Sequence, residues 1–137
     1  MVYYFEGVAR LKEKNMDINP VICVPSGNFG NITAAVMASK MGLPVSRFVA
    51  ATNVNDVVPR FLQSGHYDPE QTIVTLANAM DVGDPSNFPR LFDLFQNNLD
   101  KVRKFLSANK VTDAEIKKTI KKRGPPVKNG RPSINQT

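Results

Sequence analysis

Residues 26–31, Ser-Gly-Asn-Phe-Gly-Asn, are the stretch of this sequence best suited to chemistry. Two glycines open backbone conformations closed to other residues, and Ser26, Asn28 and Asn31 offer neutral side-chain donors. Four apolar residues, Val21 to Val24, precede the loop and Pro25 ends them, which reads as a buried strand. Residues 32–41 read as a helix closed by Gly42 and Pro44. In the order strand, glycine-bearing loop, helix, the first helical N–H groups lack partners and the helix dipole favours negative charge there. A loop without bulky side chains lets a phosphate reach those groups. Neither a P-loop nor the G-x-G-x-x-G dinucleotide fingerprint occurs, so a small phosphate held by neutral donors is the ligand this loop suits. By composition alone, the loop serves equally well as a tight turn that binds nothing.

The elements around the loop extend the pattern. Val2-Tyr3-Tyr4-Phe5 with Val8 and Leu11 predicts a first helix, and residues 45–52 predict a second strand. Strand, helix and strand at this spacing imply a βαβ unit with parallel strands. Asn53, Asn55 and Asp56 then fall at the same carboxyl edge as 26–31, where ligands gather in open parallel sheets. Asp56 serves as readily as the cap of a helix over 57–62. Residues 72–76 suggest a third strand, and 78–87 a long polar loop of the kind that is often functional. Residues 89–95 and 98–108 predict amphipathic helices. Thr112-Asp113-Ala114-Glu115 matches a capping box opening a helix through Lys122, and residues 123–137 read as disordered.

At 137 residues, 42% of them hydrophobic, the chain fits one domain with a real core. Its charge of +6 is unevenly placed. Residues 1–100 hold seven Lys/Arg and ten Asp/Glu, whereas 101–137 hold eleven and two. That basic end favours a solvated helix face and loose tail over a nucleic-acid surface, since aromatic residues are nearly absent there. Cys23, the one cysteine, excludes an intramolecular disulfide framework and reads as a buried, unreactive thiol. His66, the one histidine, sits in a polar loop that reads as exposed, without a ligand cluster for a metal. No apolar run could span a membrane and no signal peptide is visible, so the cytoplasm is the default location.

Four blocks carry a family resemblance: Val-Pro-Ser-Gly-Asn-Phe-Gly-Asn (24–31), Met-Gly-Leu-Pro-Val (41–45), Ala-Ala-Thr-Asn-Val-Asn-Asp-Val-Val-Pro-Arg-Phe-Leu (50–62) and Asn-Ala-Met-Asp-Val-Gly-Asp-Pro-Ser-Asn-Phe-Pro-Arg (78–90). In order and spacing they resemble threonine synthase of the bacterial type, over about residues 1–122. The resemblance implies an α/β type II pyridoxal 5′-phosphate fold (tryptophan synthase β-like), with a parallel sheet flanked by helices. It implies conversion of O-phospho-L-homoserine and water to L-threonine and phosphate, in threonine biosynthesis. Ser26, Gly27, Asn28, Phe29, Gly30 and Asn31 then hold the cofactor's phosphate. Asn53, Asn55, Asp56, Ser86, Asn87 and Arg90 lie toward the substrate, with Arg90 equally able to be an ion-pair partner. The family's Schiff-base lysine belongs to an upstream Phe-Lys-Asp type segment that this sequence does not contain, so no catalytic residue is assigned and the isolated chain is expected to be inactive. Residues 1–122 are thus expected to be part of a cofactor-binding domain. Residues 123–137 look foreign to the family, as in a truncated or frame-disrupted product. Another type II lyase, related to threonine dehydratase or cysteine synthase, and a non-catalytic module with a nucleic-acid-binding tail are the rival readings.

Overall fold

The computed structural model describes residues 1–14, 16 and 18–110. Helix α1 spans Val2–Glu13, strand β1 Val21–Pro25, helix α2 Gly30–Lys40 and strand β2 Arg47–Thr52. Helix α3 (Val57–Ser64), a 3-10 turn (Asn78–Met80), helices α4 (Phe88–Asp93) and α5 (Leu99–Phe105) and strand β3 (Leu106–Lys110) follow. The strands form a parallel sheet in the order β1-β2-β3. Ile22 pairs with Phe48, and Phe48 with Leu106. Parallel strands need a crossover between them, and α2 supplies the first.

Side chains alternate across a strand, so each strand offers one row to each face. Val24, Phe48, Ala50 and Leu106 point into a core completed by Phe29, Ile32 and Val36, by Val58 and Phe61, and by Phe88, Leu91 and Val102. A smaller cluster of Val8, Ala38 and Leu43 seats α1 on α2. The Tyr4 hydroxyl donates to the Asn31 carbonyl at 2.9 Å and ties α1 to the start of α2.

Several expectations need correction. Val21 and Cys23 are exposed rather than buried, because β1 is an edge strand and they lie on the sheet face that the described helices leave open. Residues 72–76 form no strand, and Ile73, Val74 and Leu76 are exposed. The third strand is instead Leu106–Lys110, where the helix predicted to 108 stops at Phe105. Leu106 fits the helical spacing, yet its backbone turns extended (φ −117°, ψ 121°) and pairs with Phe48. His66 is exposed, as expected. The helix expected over 112–122 and the tail over 123–137 lie outside the described residues. No helix among the described residues is long and apolar enough to cross a membrane.

Candidate functional site

Ser26–Asn31 bridges the carboxyl end of β1 and the amino end of α2. The Ser26 amide continues the sheet, donating to the Ala51 carbonyl at 2.8 Å. Its hydroxyl is buried and donates to the Val24 carbonyl at 2.9 Å, so the expected side-chain donor is turned inward. Beyond Ser26 the pattern changes. Among the described residues no acceptor takes the N–H of Gly27, Asn28, Phe29, Gly30, Asn31 or Ile32. The next amide, Thr33, closes the first helical bond to the Phe29 carbonyl at 3.0 Å.

Phe29 shapes this run. It precedes α2 in the left-handed conformation (φ 61°, ψ 9°), which costs an ordinary residue about 1–2 kcal/mol. Burying a phenylalanine side chain contributes about 1.5–3 kcal/mol, enough to offset that strain. The Phe29 ring is buried and meets Phe88 edge-on, 5.6 Å between centroids. A left-handed residue running into right-handed ones curls successive N–H groups toward a common concavity, the geometry of an anion nest.

The concavity is a cleft of about 240 Å³ lined by Pro25–Asn31, Ala79, Met80 and Asn87. Its narrow side is set by Gly27. A Cβ built there would lie 2.7 Å from Met80 Cα and 2.9 Å from the Met80 carbonyl oxygen, so only glycine lets the two backbones meet. Asn87 stands over the helix start, its amide nitrogen 3.3 Å from where a Gly30 Cβ would be. The Ser86 hydroxyl donates to Asn28 Oδ1 at 3.0 Å and joins the 78–87 loop to the cradle. Ser86 and Asn87 thus come together with 26–31. Arg90 does not line the cleft. It faces a groove of about 550 Å³ beside α2, with Thr33, Met37 and Leu94 among its walls.

The second polar loop is built differently. Asn53 is buried, and its amide nitrogen donates to Asp81 Oδ1 at 2.6 Å and to Thr75 Oγ1 at 3.0 Å. Its oxygen accepts the backbone and side-chain N–H of Asn55, each at 3.0 Å. The Asn55 side chain brackets Ile73, accepting its N–H at 2.7 Å and donating to its carbonyl at 2.9 Å. Asp56 occupies the cap position of α3 without a side-chain cap bond, and its carboxylate pairs with Arg60 at 3.1 Å. Burial pushes the Asp81 carboxyl up, but bonds from the Thr75 hydroxyl and amide and from Asn53 outweigh it. They hold the carboxyl below its ordinary value.

Ala79, Met80 and Asp81 are not among the residues singled out from the sequence, although they lie in the long polar loop over 78–87 noted there. Their sequence signals are that loop and membership of the 78–90 block. Among the described residues no group of three His, Cys, Asp or Glu could hold a metal.

No protein-family model matches the chain. It is 50% identical over 119 residues to threonine synthase of Haemophilus influenzae, a match covering 87% of this chain and 28% of that protein. The crystal structure of threonine synthase from Escherichia coli superposes with a TM-score of 0.69 at 48% identity, over 76% of this chain and 24% of that one. A pyridoxal-phosphate-bound threonine synthase from Brucella melitensis gives 0.71 at 32% identity, over 81% of this chain and 29% of that one. The chain thus spans little more than a quarter of the length of the curated relatives it matches. The resemblance and the α/β class with a parallel sheet both stand.

Proposed function

We propose that this chain, a homologue of about a quarter of threonine synthase, is the part that holds the phosphate of pyridoxal 5′-phosphate. The carrying observation is the run of six N–H groups, Gly27 to Ile32, without acceptors among the described residues. The first five, Gly27 to Asn31, belong to residues that line a cleft whose narrow side is the contact of Gly27 with the Met80 backbone. Hydrogen bonds from such donors to a charged oxygen contribute about 1.5–3 kcal/mol each. The α2 dipole adds about 0.3–1 kcal/mol for a dianion at its amino end. Gly27, Asn28, Gly30 and Asn31 bind through backbone N–H groups. Ser26 supports the loop from beneath, and Phe29 imposes its curvature. Asn87 and, through Asn28, Ser86 close one side.

The cofactor, when bound, supplies an electron sink for carbanion chemistry. In the reaction so served, O-phospho-L-homoserine and water give L-threonine and phosphate in the cytoplasm. Asn53, Asn55 and Asp56 stand at the sheet edge next to the cradle and belong to the substrate side in this reading. Arg90 is placed there more loosely, since it lies outside the cleft. The catalytic lysine belongs to another segment.

Titrating the isotope-labelled chain with inorganic phosphate, pyridoxal phosphate and pyridoxal tests the reading. The first two should shift the amide resonances of 27–32, and pyridoxal should not. Equal shifts with pyridoxal, or none with any of the three, would overturn it. Phosphate release from O-phospho-L-homoserine by this chain alone would overturn the assignment of catalysis to another segment.

A further inference from the structure

The turn that meets Gly27 across the cleft is flanked by residues bonded to one another outside the cleft. The 3-10 turn Asn78–Met80 forms the wall opposite Gly27. Its two flanks are joined by one carboxylate. Asp81 Oδ2 accepts the Thr75 N–H at 2.8 Å, and Oδ1 accepts the Thr75 hydroxyl at 2.7 Å. The Thr75 hydroxyl oxygen in turn accepts the Ala77 N–H at 3.0 Å, so the segment 75–81 is closed into a ring around Asp81. Oδ1 also accepts the amide of Asn53, the buried residue immediately after β2. The ring is therefore anchored to the sheet at the strand beside β1. Asp81 itself does not line the cleft.

We infer that Asp81 is a positioning residue, which through Thr75 and Asn53 holds the Asn78–Met80 turn against Gly27 and so sets the width of the anion cleft. The inference rests on the phosphate-binding reading for its consequence, but not for its geometry. A carboxylate is required at this place because the Thr75 N–H, the Thr75 hydroxyl and the Asn53 amide all donate to it. The substitution Asp81→Asn keeps one accepting oxygen but turns an NH2 donor toward the Thr75 N–H. Removing the Thr75 hydroxyl opens the ring by a different route while leaving Asp81 charged.

The test uses the full 137-residue chain with Asp81→Asn, Thr75→Val, Gly27→Ala and the pair Asp81→Asn/Gly27→Ala. Two readouts separate the inference from the reading beneath it. Without ligand, the amide resonances of Gly27–Gly30 should move in Asp81→Asn and in Thr75→Val, although both substitutions are remote from them in sequence. With inorganic phosphate as the probe, each single variant should lose about tenfold in affinity, as expected when charge-assisted bonds are lost. The double variant should lose no more than the worse single one, because Asp81 and Gly27 act on one contact. Additive losses would assign Asp81 a general structural role and overturn the inference. So would ligand-free resonances of 27–30 that stay in place in both variants. Failure of the wild-type chain to bind phosphate, with those resonances still moving, would sink the phosphate reading and leave the positioning role standing.

Discussion

Residues 26–31 and 53–56 look alike in sequence and behave as opposites in the fold. Both are short polar loops rich in asparagine, and both leave the carboxyl ends of neighbouring parallel strands. In 53–56 the Asn53 and Asn55 side chains are engaged with Thr75, Asp81 and Ile73. In 27–32 a run of backbone donors has no acceptor among the described residues. One loop is a structural knot and the other an open cradle. Asparagine content does not tell them apart. The difference lies in whether another segment arrives with matching acceptors: 73–81 brings a carboxylate, a hydroxyl and a carbonyl to 53–56, but brings only the Met80 backbone to Gly27.

If that contrast is right, the two loops should fail in different ways when altered. The largest effect is expected at Gly27. Gly27→Val places a branched side chain where Met80 Cα already lies 2.7 Å from a single Cβ. Phosphate affinity should fall more than about tenfold, as expected when several charge-assisted bonds are lost together. Calorimetric titration measures it, and near-wild-type affinity would mean that the cradle lies elsewhere. Next is Asn53→Ala, which removes a buried amide and strips a donor from Asp81 and an acceptor from Asn55. It should lower the unfolding free energy by about 1–3 kcal/mol, read from urea denaturation. Smaller still is Asn28→Ala. The described contact of that side chain is the Ser86 hydroxyl, so stability should stay within about 0.5 kcal/mol of wild type. A loss as large as that of Asn53→Ala would erase the distinction between knot and cradle.

What the sequence reveals follows the same line. The β1, loop, α2, β2 unit is legible because its signals are local: an apolar run, a glycine loop, a helical stretch and a second β-branched run. The concave loop between β1 and α2 is legible for the same reason. The inward turn of the Ser26 hydroxyl is not, since it depends on the Val24 carbonyl beneath it. Residues 72–76 have strand-forming composition, yet no strand among the described residues comes beside them. The Asn55 side chain takes the place of a neighbouring peptide at Ile73, an arrangement no propensity encodes. Leu106 misleads because one residue satisfies both the helical period of α5 and the register of β3. Gly27 can be noted as a glycine, but the reason for it, Met80, lies far along the chain in the 78–87 loop.

Acid should separate the loops most finely. Asp81 is held below its ordinary value of 3.8 by bonds that exist only in the fold. Its folded value is depressed relative to the unfolded chain, so the unfolded state binds the proton first as pH falls. The stability it contributes is present above the ordinary value and is lost as pH falls through the lower, folded one. The 26–31 loop contains no ionisable side chain. Amide exchange at Thr75 and Ala77 should therefore accelerate, relative to the intrinsic rate, as pH is lowered below 3.8, and Asp81→Asn should abolish that dependence. Amides within α2 should keep their protection over the first part of that range. Simultaneous loss of protection at both places would mean that knot and cradle unfold as one unit, and that the contact between Met80 and Gly27 is stronger than the ring that holds it.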